Sequence, residues 1–137
     1  MKERKAQVAR KTGETDITVK LNLDGTGAAQ ITVPVGMLGH MLESLARHSG
    51  VDITLTAQGD TEVDQHHLVE DIGIVLGDAV RKALGDKKGI NRAGFFVFPM
   101  DEALGVVALD IGGRAQLQYE AKFKRRFVGE LDTDTVP

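Results

Sequence analysis

The stretch TDITVKLNLDGTGAAQITV, residues 15–33, decides the fold class. Ile17, Val19, Leu21 and Leu23 alternate with Thr18, Lys20 and Asn22, the period-two pattern of a strand with one buried face. Asp24-Gly25-Thr26-Gly27 is a hairpin signal, and Ala29, Ile31 and Val33 resume the alternation up to Pro34. Residues 6–11 read as a further strand, set off by the turn-like Thr12-Gly13. Together these segments predict a three-stranded antiparallel start.

Downstream the period changes. From Met37 to Arg47, Met37, Met41, Leu42, Leu45 and Ala46 recur at helical spacing, and residues 51–56 return to alternation. A longer helix is expected from near Asp64, with Val69, Ile72, Leu76, Ala79, Val80 and Ala83 as its apolar stripe and Gly85 as its C-terminal cap. Three more strands are expected at Gly94–Phe98, Leu104–Asp110 and Ala115–Lys122, with Gly112-Gly113 as a turn. This order predicts an α+β fold with helices packed on one face of a mostly antiparallel sheet. The renewed strand run suggests a duplicated strand-rich unit, with residues 1–92 as the first half-domain and 93–137 as the start of a second. Asp132-Thr133-Asp134-Thr135 offers helix N-cap residues with only Val136 and Pro137 after them, so a helix is expected to start there and the chain to be cut short of it.

Composition narrows the chemistry. With 137 residues and 42% apolar side chains, the chain can bury one domain-sized core. A formal net charge of −3 with both signs mixed argues against a nucleic-acid stripe or a polybasic membrane face, leaving a small molecule as the expected partner. No cysteine is present, so any transition metal must be held by histidine and carboxylate. The basic N-terminus lacks the apolar stretch of a signal peptide, and no run approaches the roughly 20 apolar residues of a membrane span. A cytoplasmic setting is therefore expected.

The densest chemical cluster is Asp64-Gln65-His66-His67-Leu68-Val69-Glu70-Asp71, at the start of the long helix. His66 and Glu70 are four apart and His67 and Glu70 three apart, so the three side chains share an arc of about 100°. Adjacent histidines diverge by about 100° around the axis, which suits two neighbouring ions better than one. Imidazole and carboxylate without sulfur suit Mn, Fe, Zn or Ni, and the residues alone do not choose among them. The plainer reading is a polar helix start whose acids favour the helix dipole. His40 and His48 share the other helix, and His40, bracketed by Leu38, Met41 and Leu42, reads by itself as a half-buried histidine at the core edge.

Six segments then resemble one family, the imidazoleglycerol-phosphate dehydratases of histidine biosynthesis. Gly36-Met37-Leu38-Gly39-His40-Met41-Leu42, followed by Leu45-Ala46-Arg47-His48, resembles "GxxDHML…LxxH", and Asp64–Asp71 resembles "DxHHxxED". Residues 10–15 are similar to "RxTxET", and Gly89-Ile90-Asn91-Arg92 is similar to "GIxRxG". Residues 99–104 match "PMDEAL", and Asp110-Ile111-Gly112-Gly113-Arg114 is similar to "DxSGR".

The resemblance implies half-domains like the second domain of ribosomal protein S5. It implies His40, His67 and Glu70 as ligands of one metal and His66 as a ligand of a second, with manganese in both places of a complete site. It further implies Glu14 as the acid/base carboxylate, and Glu14, His48, Arg92 and Arg114 as substrate contacts, the two arginines gripping the phosphate. The implied reaction removes water from D-erythro-1-(imidazol-4-yl)glycerol 3-phosphate to give imidazole acetol phosphate, in a large homo-oligomer.

Read as bare residues, Glu14 is equally an exposed glutamate at a strand end, and the arginines are surface salt-bridge partners. Gly39 stands where the family has aspartate, and Gly112 where it has serine. With the remaining ligands expected beyond Pro137, the chain alone is expected to be incomplete for activity. A non-catalytic homologue and a dinuclear metallophosphatase are the rival readings.

Overall fold

The computed structural model describes residues 3–136, so Met1, Lys2 and Pro137, the outer ends of the two expected half-domains, lie outside the described residues. The first unit spans described residues 3–85 together with 121–136, and a second spans 86–120. The boundary expected between 92 and 93 therefore differs from the grouping by contact. Residues 121–136 join the first unit, where Gln65 Nε2 donates to the carbonyl of Glu130 at 2.6 Å and Asp132 N donates to Gln65 Oε1 at 3.2 Å.

In the first unit, strands β1 (Lys5–Lys11), β2 (Thr15–Asn22), β3 (Ala29–Thr32) and β4 (Asp52–Gly59) form one sheet in the order β1-β2-β4-β3. The expected alternation is realised in β2 and β4, where Ile17 faces Ala57, Val19 faces Leu55 and Leu21 faces Ile53 across the antiparallel ladder. All six are buried. Helices α1 (Gly36–Ser49) and α2 (His66–Leu84) cover this same face: Leu42 and Ala46 of α1, and Leu68, Ile72, Val75, Ala79 and Ala83 of α2, join those strand residues in one core. The expected α+β class, two helices on one face of a mostly antiparallel sheet, is what forms.

The antiparallel three-stranded start is corrected. β3 does not return beside β2; it pairs in parallel with β4, and β4 lies between them. The Asp52 carboxylate at the head of β4 accepts from the amides of Thr26 at 2.8 Å and Ala28 at 2.9 Å, so the glycine-rich segment wraps onto β4 instead of closing a hairpin. Burial gives the reason for the order. β4 carries Ile53, Leu55 and Ala57 and needs the centre of the sheet, whereas only Ile31 of β3 is even half-buried.

The second helix ends at Gly85 as expected, whereas the glycine that ends the first was not singled out in the sequence. Gly50, with φ 74°, stops α1 by donating to the carbonyl of Ala46, and Gly85, with φ 57°, stops α2. At the end of the chain β7 (Phe127–Val128) and β8 (Leu131–Asp132) form a short hairpin. Asp132 does act as an N-cap there, but to a single 3-10 turn at Thr133–Thr135, accepting from Asp134 N at 3.1 Å.

The second unit is a full-register antiparallel hairpin, β5 (Ala93–Met100) with β6 (Ala103–Asp110). The strand expected at Ala115–Lys122 does not form: among the described residues this segment joins no ladder and is exposed throughout, so nothing fixes it in extended pairing.

Candidate metal and substrate site

The helix start predicted from the His-His cluster is built by Asp64, whose Oδ1 accepts from His66 N at 2.7 Å, satisfying an amide that the helix itself leaves free. His66 and His67 leave the first turn with their rings at 89° and their centroids 6.2 Å apart. Each meets a different carboxylate. His66 Nε2 lies 3.6 Å from Glu70 Oε2, one turn on, and both side chains are exposed. His67 Nδ1 lies 3.2 Å from Oδ2 of Asp60, whose side chain is 22% exposed. The hydrogen bond to Asp60 raises the His67 pKa above the ordinary imidazole value; partial desolvation opposes it, and the charges of Asp60, Glu14 and Asp64 add to it.

Asp60 was not singled out by sequence reasoning, since it lies seven residues before His67 across a turn. Backbone bonds from Val63 and Asp64 to the Asp60 carbonyl close that turn and bring the carboxylate back to the helix. The amide of Asp60 also donates to the carbonyl of Glu14 at 3.1 Å. Glu14 thus sits, exposed, in the β1–β2 turn, tied by its carbonyl to the turn that leads into α2.

Asp71, next along the cluster, is no first-turn surface acid. It is buried, and its two oxygens accept from Arg10 Nε at 2.7 Å and Thr15 Oγ1 at 2.6 Å.

His40 is exposed on the second turn of α1, which overturns its reading as a half-buried core-edge residue: Gly39 and Leu42 take the inward positions and leave His40 outside. His48 is exposed in the last turn of α1 beside Arg47. The N-termini of the two helices are linked through the β7–β8 turn, since the Glu130 carboxylate accepts from Gly36 N while the Glu130 carbonyl takes Gln65. His40 and the His66–Glu70 turn thereby lie near linked helix ends, yet among the described residues no three histidine or acidic side chains converge on one point. As a donor set the cluster fits divalent cations: it offers two imidazole–carboxylate pairs, each a partial shell of nitrogen and oxygen without sulfur.

Gly39 has a structural reason. A Cβ there would come 3.1 Å from Val33 Cγ2, so glycine lets α1 lie close on the end of β3, where the family's aspartate would press on an apolar side chain.

Within the second unit, Arg92 Nε donates to Asp110 Oδ1 at 2.5 Å and Nη2 to Oδ2 at 2.7 Å, a bidentate fork. The hydrogen bond from Arg92 holds the Asp110 carboxyl below its ordinary range; desolvation opposes this, and the charges of Arg92 and Lys87 reinforce it. The guanidinium fork expected to grip phosphate thus rests on a carboxylate. A Cβ at Gly112 would stand 2.9 Å from Arg92 Nη2, so glycine instead of serine leaves room for that fork. Arg114 is exposed in the bend after β6.

The family model for imidazoleglycerol-phosphate dehydratase matches residues 33–137. The chain belongs to the imidazoleglycerol-phosphate dehydratase family. It is 54% identical over 133 residues to the dehydratase of Chlorobium phaeovibrioides, covering 97% of this chain and 66% of that protein. With the dehydratase of a Hydrogenobaculum species it shares 53% identity over 133 residues, covering 97% of this chain and 69% of the relative. The chain thus spans about two thirds of the length of these curated relatives. The crystal structure of the Staphylococcus aureus dehydratase superposes with a TM-score of 0.84 at 36% identity, covering 96% of this chain and 72% of that one. That of Pyrococcus furiosus gives 0.68 at 35% identity, covering 85% and 64%. Family membership assigns the chain to the dehydratases, which are lyases of histidine biosynthesis acting on a phosphorylated imidazole. No helix among the described residues is long and apolar enough to cross a membrane.

Proposed function

We propose that this chain carries the part of a dehydratase site that removes water from D-erythro-1-(imidazol-4-yl)glycerol 3-phosphate to give imidazole acetol phosphate. The observation that carries the reading is the placing of two imidazole–carboxylate pairs, His66 with Glu70 and His67 with Asp60, beside the turn that bears Glu14. His66, His67 and Glu70, with His40 from α1, are the residues to hold divalent ions, manganese first among them. When bound, such ions supply Lewis-acid stabilisation of negative charge on the substrate imidazole.

The chain's own groups do the rest. Dehydration breaks a C–H bond at the carbon keeping its hydroxyl and the C–O bond at the ring-bearing carbon; water leaves, and the resulting enol becomes the ketone. One group must accept the carbon proton and one must protonate the departing hydroxyl, and we assign one of these transfers to the exposed Glu14 carboxylate. Asp60 holds His67 through Nδ1, leaving Nε2 as its free ring nitrogen. Arg92 and Arg114 bind the phosphate, the former by leaving Asp110, and His48 contacts the substrate. We further assign residues 1–92 and 93–137 to two copies of one ancestral unit, and on family membership alone place the protein in a large homo-oligomer in the cytoplasm.

The deciding assay incubates this chain, joined to the part of its curated relatives' length that it does not span, with substrate and Mn(II) and follows ketone formation; the chain alone is expected to bind metal without turnover. Metal-dependent ketone, abolished by chelator and by His67→Ala, is the expected result. Release of inorganic phosphate would point to a phosphatase instead, and metal-loaded protein yielding neither product would point to a non-catalytic homologue.

A further inference from the structure

The β1–β2 turn is tied to α2 by a hydrogen-bond chain whose direction follows from chemistry alone. The Thr15 hydroxyl has one hydrogen and gives it to Oδ2 of Asp71, a carboxylate oxygen that can only accept. Thr12 Oγ1, 3.1 Å from Thr15 Oγ1, must therefore be the donor of that pair. Its lone pairs then accept from the amides of Glu14 at 3.1 Å and Thr15 at 3.0 Å. The chain reads Glu14 amide to Thr12 hydroxyl to Thr15 hydroxyl to Asp71 carboxylate, every proton assigned and each bond polarising the next. Thr15 is 4% and Asp71 7% exposed, so water competes poorly for these bonds. Arg10 Nε takes the other Asp71 oxygen and ties the neighbouring strand to the same point. On the far side of the turn, the Asp60 amide holds the Glu14 carbonyl.

We propose that Asp71 is a positioning residue for Glu14: through Thr15, Thr12 and Arg10 it locks the turn bearing that carboxylate onto the helix turn that bears His67 and Glu70. Asp71 follows Glu70 directly and lies one helical turn after His67, so the cation-binding imidazole and the proton-transfer carboxylate are held by one element. The catalytic part of this inference rests on the reading of Glu14 given above; the lock itself does not.

Amide hydrogen exchange at Glu14 and Thr15, followed by NMR under native conditions, tests the lock in Thr15→Val, Thr15→Ser and Asp71→Asn proteins. Thr15→Val removes the hydroxyl without changing shape and is expected to speed exchange at both amides at least about tenfold. Thr15→Ser, which keeps the hydroxyl, restores protection, and Asp71→Asn behaves as the valine variant. In the dehydration assay Thr15→Val lowers kcat about 10- to 100-fold with a smaller change in KM, as displacement of a reacting group would. Unchanged exchange in both Thr15→Val and Asp71→Asn overturns the lock. Faster exchange with unchanged kcat, while Glu14→Gln abolishes turnover, overturns the positioning role. Turnover retained by Glu14→Gln overturns the Glu14 reading instead, and the exchange data still decide the lock.

Discussion

The β2–β4 ladder and the β5–β6 hairpin are built alike and end up differently. Each is a full-register antiparallel pair of eight-residue strands rich in Val, Ile, Leu or Phe. In the first, Ile17, Val19 and Leu55 are completely buried, because two amphipathic helices lie on that face. In the second, Phe95 is 83% exposed and every residue of both strands is exposed. The first alternates apolar with polar side chains, whereas the second runs Phe95-Phe96-Val97-Phe98 and so turns apolar groups to both faces. Alternation marks a strand with one wet face; a continuous apolar run marks a strand with none to spare.

The contrast can be broken most directly by truncation. Leu55→Ala is expected to cost about 2–5 kcal/mol in urea unfolding, as for other fully buried leucines, while Phe95→Ala stays within about 0.5 kcal/mol. Similar losses at both positions would show that the hairpin shares the core's stability. A second effect belongs only to the first unit. Asp60→Asn is expected to weaken Mn(II) binding by about 10–100-fold in titration calorimetry, since it removes the group that orients His67. Asp78→Asn, which removes only an exposed pair with Arg81 on the same helix, is expected to leave affinity unchanged.

Smaller still is the effect of glycine in the helices. Gly73 of α2 has nothing within 4 Å of an added Cβ, so Gly73→Ala should stabilise by about 0.5–1 kcal/mol. Gly39→Ala should fall short of that gain, because its Cβ meets Val33. Equal gains in thermal unfolding would mean that α1 and β3 separate freely. The smallest expected effect lies in the hairpin unit. Asp110 titrates below its unfolded value, so its pairing with Arg92 stabilises at pH values above that of a free carboxyl and is lost only as pH falls through the depressed one. NMR of the Arg92 Nε–H should show the fork persisting to a lower pH than that at which an unpaired carboxyl protonates; loss at or above that pH would refute it.

Several readings needed no coordinates. The strands read at 15–24, 51–56, 94–98 and 104–110, both helices and the glycine that stops the second were legible because periodicity and caps are local. The pairing of β3 was not, since the Asp24–Gly27 signal describes a turn but cannot say which strand the chain turns toward. Asp52 decided that from 24 to 26 residues away. The strand expected at 115–122 failed for a related cause: extended propensity without a neighbour forms no ladder. The His-His cluster was visible as spacing on a helix, whereas Asp60 was hidden by its distance in sequence, and Asp71 looked like a surface acid until Arg10 and Thr15 were found on it.

By itself, then, the amino-acid order determined both helices, most of the strands, the α+β class and the clustering of imidazole and carboxylate at the start of α2, properties carried by short-range pattern. Only the tertiary structure decided the strand order, the outward-facing position of His40, the engagement of Arg92 by Asp110 and the tethering of Glu14 to α2. Those depend on which distant groups compete for the same amide, guanidinium or hydroxyl, and that competition is settled only when the chain has closed on itself.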